Sequence, residues 1–186
     1  MAEVQVPQPL CYTRYCMKFL MLNGASCSGK STIVKRVMKE VPGYYQLSYD
    51  SLKWGFSQYK PDQHFDDVRK LVRALAETLC AMKYNILCDS GLHKETREKL
   101  FEIVKRHNYE IVEVNLNAEY KVLTERFDKR IADAAATPGT RIANTSKERH
   151  KELYNIYESE KNPQAISFRT DGQSIDEIVG EVLKLM

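Results

Sequence analysis

A run of apolar residues, Phe19-Leu20-Met21-Leu22, breaks into Gly24-Ala25-Ser26-Cys27-Ser28-Gly29-Lys30-Ser31-Thr32. Behind it, Ile33, Val34, Val37, Met38 and Val41 follow helical spacing until Pro42-Gly43 stops them. A strand, a glycine-rich turn and a helix are the context that Gly-x-x-x-x-Gly-Lys-Ser needs in order to hold a phosphate chain. Gly24 and Gly29 can take backbone conformations closed to residues with a Cβ, so successive N–H groups turn inward beside a helix N-terminus whose dipole favours anions. Lys30 is then placed to reach the β- and γ-phosphates of a nucleoside triphosphate, and the Ser31 hydroxyl to hold Mg²⁺, with residues 24–32 as the cradle. Residue usage alone would produce the fixed positions about once in 150 chains of this length, so ATP and Mg²⁺ are the expected cofactors.

The 186 residues suffice for one domain with a full core and are too few for two typical ones. We expect a loose arm over residues 1–16, a single domain over 17–186, and no leader or membrane span. A net charge of +3 lacks the strong basic balance of proteins that live on long nucleic acid, so any nucleic-acid substrate is expected to be held by a few local contacts. Five cysteines, Cys11, Cys16, Cys27, Cys80 and Cys88, are odd in number and show no paired metal spacing, which reads as reduced thiols in the cytoplasm. Cys27 reads as a tolerated small residue of the phosphate loop, since reactivity would require exposure and a lowered pKa. Oligomeric state is not legible.

Further along, residues 44–48 read as a strand ending at Tyr49-Asp50-Ser51-Leu52, and residues 64–83 as a long helix leading into a buried-type strand, Asn85-Ile86-Leu87-Cys88-Asp89. A charged helix spans roughly residues 93–107, a strand residues 109–116, and a helix about residues 119–131. The Ala-rich stretch 133–146, with Thr137-Pro138-Gly139-Thr140, lacks sustained periodicity and is expected to be a mobile lid loop. A helix over about 147–160, a strand near 165–168, the turn Asp171-Gly172 and a closing helix from Ser174 complete the chain. Strands alternating with helices predict an α/β fold: a three-layer, parallel five-stranded sheet with helices on both faces.

In such sheets ligands bind at the carboxyl ends of the strands, so Lys30, Asp50 and Asp89 should meet on one rim. Phosphoryl transfer to an alcohol needs a carboxylate to take the acceptor's proton, and Asp50 suits that role, with a helix N-cap as its alternative. Asp89 suits the metal's surroundings or the acceptor, with a turn aspartate before Gly91 as its alternative. Arg126, Arg130 and Arg141 are candidates for lending charge to the phosphates, whereas Lys129 reads as a solvated helix face. His93 and His107 lack metal spacing and read as surface residues. Trp54, Phe56 and Tyr59 read either as a stacking surface for an aromatic acceptor or as core.

Taken together, the loop at 24–32, Gly43-Tyr44-Tyr45 leading to Asp50, Cys88-Asp89-Ser90-Gly91 with Glu95 and Arg97, residues 109–116, and Arg126 to Arg130 resemble the kinase domain of polynucleotide kinases. The likeness covers about residues 17–160, and the order of motifs is similar in the wider group that includes chloramphenicol phosphotransferase and the zeta-toxin kinases. The resemblance implies that Lys30 and Ser31 serve ATP and Mg²⁺, that Asp50 is the general base, that Lys53, Asp89 and Arg97 help place the acceptor, and that Arg130 belongs to the lid. Where the phage-type enzymes carry an arginine three residues after the base, this chain has Lys53, which lacks the planar fork of arginine. Asp50-Ser51-Leu52 looks more like the antibiotic phosphotransferases, and no phosphatase segment follows in the given sequence.

The expectation is therefore an ATP-dependent kinase acting on an alcohol, first the 5′-hydroxyl of a short nucleic acid or nucleoside and second a small metabolite or antibiotic. A nucleoside monophosphate kinase would need no base and more arginines than the lone Arg69 of residues 50–70. A nucleotide-binding regulatory protein is the alternative from another class.

Overall fold

The computed structural model describes residues 16–89, 93–137 and 146–186. Five strands, β1 (Lys18–Gly24), β2 (Tyr44–Leu47), β3 (Asn85–Cys88), β4 (Glu110–Asn117) and β5 (Ile166–Arg169), form one sheet in the order β2-β3-β1-β4-β5. Every pairing is parallel. Among the described residues seven helices connect and cover it: α1 (Lys30–Glu40), α2 (Tyr49–Lys53), α3 (Pro61–Ala81), α4 (Lys94–Arg106), α5 (Tyr120–Ala136), α6 (Lys147–Glu160) and α7 (Ile175–Lys184). This is the α/β architecture the alternation of elements predicts.

β1 explains the layering. Its neighbours β3 and β4 pair with it on both edges, and its side chains from Phe19 to Leu22 are fully buried on both faces. Phe19 and Met21 join Val68, Val72, Leu100 and Val104 of α3 and α4 on one side. Leu20 and Leu22 join Ile33, Val34, Val37, Ile178 and Val182 of α1 and α7 on the other. A strand buried on both faces reads as a continuous apolar run, which is how residues 19–22 read. The edge strands β2 and β5 have four residues each, which limits the unpaired edge they offer to another chain.

Helix boundaries follow local chemistry. Pro61 occupies the first turn of α3, where its missing N–H costs nothing. Gly43 takes φ 81° between α1 and β2. Ser174 and Glu177 form a reciprocal capping box at α7.

One expectation needs correction. The stretch from residue 133 is not loop throughout, because α5 continues to Ala136. Alanine has the highest helix propensity, so an Ala-rich run without apolar periodicity still extends a helix already begun. Thr137, which precedes Pro138, is extended (φ −118°, ψ 104°), as the residue before a proline prefers. The rest of the expected lid, including Arg141, lies outside the described residues up to Ser146, as do the arm through residue 15 and Gly91. Among the described residues, no helix is long and apolar enough to cross a membrane.

Sequence reasoning gave His150 no role, yet it is fully buried on α6, stacked on Phe127 (ring centroids 4.6 Å apart, 16° between planes) and on Tyr120 (5.7 Å). Neither ring nitrogen has a hydrogen-bond partner among the described residues, and burial pushes its pKa below the ordinary value of 6.5 against the opposing pull of Asp128. A histidine that resists protonation only when folded destabilises the fold as pH drops, because the unfolded chain takes up the proton first. The melting temperature, followed by circular dichroism, is therefore expected to fall as pH is lowered from 6.5 towards 5, and His150→Phe is expected to flatten that part of the profile.

Candidate functional site

The loop between β1 and α1 turns on two residues in left-handed conformations, Cys27 (φ 66°) and Gly29 (φ 93°), the latter serving as N-cap of α1 without any side-chain cap. The first N–H groups of α1 are thus left for an anion. Gly24 needs its missing side chain for a different reason than conformational freedom: a Cβ there would lie 2.9 Å from the Leu116 carbonyl oxygen of β4 and closer still to Ser28 Oγ. Ser28 is buried, and its hydroxyl has no partner among the described residues.

Lys30 Nζ folds back over this loop and donates to the carbonyls of Gly24 (2.5 Å) and Ala25 (2.9 Å). Burial lowers its pKa to about 8, opposed by the nearby carboxylates Asp89 and Asp50, while Arg130 pushes the same way as burial. Those influences bring the expected rim residues together around one ammonium group. Asp89 follows β3 directly, and its Oδ2 accepts from Gln46 Nε2 at 2.8 Å, while Oδ1 is buried and without a partner among the described residues. Burial raises its pKa in spite of hydrogen bonds from Gln46 and Ser48 and the charge of Lys30.

Asp50 sits in the first turn of α2, whose N-cap is Ser48, with Ser48 Oγ accepting from Ser51 N. The capping alternative for Asp50 is thereby removed. Its carboxylate is largely exposed and takes a hydrogen-bonded ion pair from Lys53, a residue buried except for 5% of its surface. Lys53 Nζ also lies 5.0 Å from the centre of the Trp54 ring.

Arg126 does not face solvent: its guanidinium reaches the Cys27 carbonyl (3.5 Å) and Thr170 (Oγ1 at 3.0 Å, O at 2.5 Å), tying the phosphate loop to the segment after β5. Arg130 lies one turn further along α5 and is exposed, Lys129 beside it equally so. Arg97 is committed elsewhere, its Nε 3.2 Å from Glu113 in a buried ion pair and its Nη2 donating to the Glu160 carbonyl at 2.8 Å. His93 pairs with Glu160 (3.4 Å) and His107 with Glu77 (2.7 Å), so both are half-buried partners rather than plain surface residues.

A cavity of about 1120 Å³ joins these groups, running from the phosphate loop across Asp89 and Asp50 to Trp54, Tyr59 and Phe65. Trp54 and Tyr59 line it, whereas Phe56 packs against the core beneath. Sequence reasoning missed Gln46, Ser48, Arg69 and Thr170 as lining residues. Gln46 alone carried a signal, as the one polar side chain inside the otherwise aromatic and apolar run 44–47.

No cluster of three or more metal-binding side chains occurs among the described residues. Mg²⁺ keeps several waters and seldom uses an all-protein cage, so one carboxylate, one hydroxyl and substrate phosphates would be enough to hold it. The partnerless Asp89 Oδ1 fits such an ion or its water.

A family model described as an AAA domain matches residues 19–153. No curated protein sequence matches the chain. Similar solved structures include a candidate kinase of Chloroflexus aurantiacus (17% identity, TM-score 0.69, 92% of this chain and 100% of that one). The APS kinase CysC of Mycobacterium tuberculosis, solved with AMPPNP and APS, is similar over 91% of this chain and 97% of its own (20% identity, TM-score 0.61). So is a chain of the Pnkp1/Rnl/Hen1 RNA repair complex, over 82% of this chain and 48% of that one (20% identity, TM-score 0.61). At these identities the likeness is one of fold, and the fold is the P-loop kinase-like one.

Lys30 yields a pH prediction. With a pKa near 8 in the free protein it is partly neutral just above neutrality, and a bound triphosphate would hold its proton. The affinity for ATP is therefore expected to weaken as pH rises from 7 to 9, with proton uptake on binding at pH 8.5, measured by calorimetry in two buffers of different ionisation enthalpy. Equal heats after correction for binding alone would mean that no proton is taken up.

Proposed function

Because the chain belongs to the AAA domain family and has a P-loop kinase-like fold, we propose that it is an ATP-dependent kinase transferring the γ-phosphoryl group to an alcohol. The observation that carries this reading is the meeting, in one cavity, of an ammonium and a carboxylate oxygen that have no ionic or hydrogen-bond partner of opposite charge among the described residues, Lys30 and Asp89 Oδ1, with the exposed carboxylate of Asp50.

In this reading the backbone of residues 24–32 cradles the β- and γ-phosphates and Lys30 leaves its two carbonyl partners to meet them. Ser31 Oγ and Asp89 Oδ1 would hold Mg²⁺, which would supply positive charge to offset the charge that develops during transfer. Asp50 accepts the proton of the acceptor hydroxyl as its oxygen bonds to the γ-phosphorus; the bond from that phosphorus to the β–γ bridging oxygen breaks, and ADP leaves. Lys53 orients Asp50 through its hydrogen-bonded ion pair. Arg126 fixes the loop against Thr170, and Arg130 adds charge to the donor phosphates. Arg97 shapes the acceptor wall through its pair with Glu113 instead of contacting substrate through a free guanidinium.

The kinase unit is residues 17–186, with residues 1–16 as an arm, the part of 133–146 that follows α5 as a lid that closes to exclude water, and the cytoplasm as the site of action. The acceptor is first the 5′-hydroxyl of a nucleoside or nucleic acid. Lys53, in place of a forked arginine after the base, favours the second reading of a small-molecule O-phosphotransferase.

Asp50→Asn is expected to lower kcat by about 10²–10⁴-fold while leaving ATP binding near wild type, measured by steady-state γ-phosphoryl transfer. Retention of most of the rate would remove Asp50 as base, and turnover unchanged with no alcohol phosphorylated would favour a regulatory nucleotide-binding protein. Lys30→Ala is expected to abolish nucleotide binding itself.

A further inference from the structure

The cations that line the cavity divide by position. Around the phosphate loop, Lys30, Lys35, Arg126 and Arg130 have no carboxylate within ion-pair distance among the described residues. On the opposite wall, built from α2 and the starts of α3 and α4, every lining lysine and arginine among the described residues faces one, as do the two lining cations of the α6 segment, Arg149 with Glu152 at 2.6 Å and Lys161 with Glu158 at 2.8 Å. Lys53 is held by Asp50, Arg69 Nη2 lies 3.2 Å from Glu95, and Arg97 Nε lies 3.2 Å from Glu113. His93 Nδ1 lies 3.4 Å from Glu160, and Arg69 has a second carboxylate, Asp66, at 3.4 Å and donates its Nε–H to Thr96. Glu95 and Glu160 are both held below the usual carboxylate range, Glu95 chiefly by Lys99 and then Arg69, Glu160 chiefly by the Lys94 N–H.

The same wall carries a connected set of rings. Trp54 meets Tyr59 edge-on at 6.4 Å, the Tyr49 and Tyr59 hydroxyls are 3.0 Å apart, and Tyr49 lies against Phe65 at 5.8 Å. Trp54, Tyr59 and Phe65 all border the cavity, and Trp54 is 36% exposed.

We infer that the acceptor is an uncharged alcohol carrying a flat aromatic ring, and that this wall discriminates against alcohols bearing a phosphate or carboxylate. The inference rests on the kinase reading for the location of the acceptor and deepens it. An anionic group on the acceptor would have to displace a carboxylate from Arg69, Arg97 or Lys53, or sit beside Asp50, Glu95 or Glu160 and be repelled. A neutral ring stacks on Trp54, Tyr59 or Phe65 at no such cost. Positive charge for phosphate is thereby kept for the donor, which separates the two ends of the cavity electrostatically. Within the nucleic-acid class this selects nucleosides over oligonucleotides, whose backbone phosphates follow the 5′-terminal sugar.

Trp54 is the single tryptophan of the chain, so its emission reports on this wall directly and without catalysis. The full chain, saturated with Mg²⁺ and a non-hydrolysable ATP analogue to fill the donor end, would be titrated with matched pairs. These are thymidine and thymidine 3′-monophosphate, guanosine and guanosine 3′-monophosphate, and 4-nitrobenzyl alcohol and 4-(hydroxymethyl)benzoate, with sorbitol as the ring-free alcohol. We expect saturable quenching by at least one neutral member, at least about tenfold weaker binding of its charged partner, and none by sorbitol. Glu95→Gln, which removes the nearer of the two carboxylates of Arg69 and touches no group assigned to the chemistry, is expected to narrow that gap several-fold by favouring the charged member.

Equal or tighter binding of the charged members, quenching by sorbitol alone, or no response to any compound would overturn the inference. Phosphoryl transfer to the charged alcohols would overturn it too while leaving the kinase reading standing. Ring-dependent quenching without transfer to any bound alcohol would uphold the acceptor wall and contradict the kinase.

Discussion

A half-buried ammonium group with no ionic partner among the described residues is the constraint around which the rest of the molecule is arranged. Lys30 Nζ is held by two carbonyl oxygens of its own loop, and burial has already drawn its pKa to about 8. Taking a charge out of water without a counter-ion is costly, and neutral carbonyls compensate only in part. On the proposed reading a triphosphate would supply that counter-ion, and the cost of keeping Lys30 in this state would be recovered when it enters.

The fold keeps that state from relaxing. β1 is packed on both faces and paired on both edges, so the loop after it starts from a rigid strand. Glu113 of β4 reinforces it: one oxygen accepts from Asn23 Nδ2 and the other from Asn162 Nδ2, both at 2.7 Å, while Arg97 of α4 pairs with the first. One buried carboxylate thus joins the residue before Gly24 to the acceptor-side helix and to the end of α6. On the other flank, Arg126 joins Cys27 to Thr170. The phosphate loop and the residue before it are thus tied by side-chain contacts to α4, α5 and the segment after α6.

The phosphate loop was legible in the sequence because its chemistry is local: glycines, a lysine and a serine at fixed spacing between a strand and a helix. The sheet was legible for a similar reason, since apolar runs alternating with periodic segments admit few other packings. Contacts between distant segments were not. The partners of Arg97, Arg126 and His150 lie 16, 44 and 23 or more residues away in sequence, and no periodicity announces them. Asp50 reads equally well as a helix cap in the sequence, and only the backbone of α2 assigns the cap to Ser48. The Ala-rich end of α5 misled because lack of an apolar stripe was read as lack of helix, when alanine needs no stripe to extend one.

A crystal structure with a non-hydrolysable ATP analogue and Mg²⁺ tests the central claim most directly. The account predicts that Lys30 Nζ has left the Gly24 and Ala25 carbonyls and lies about 3 Å from β- and γ-phosphate oxygens. It also predicts Asp89 on the side of the metal, with Asp50 facing the γ-phosphate across open space. A triphosphate bound away from residues 24–32, or a Lys30 still folded onto its own loop beneath the nucleotide, would contradict it.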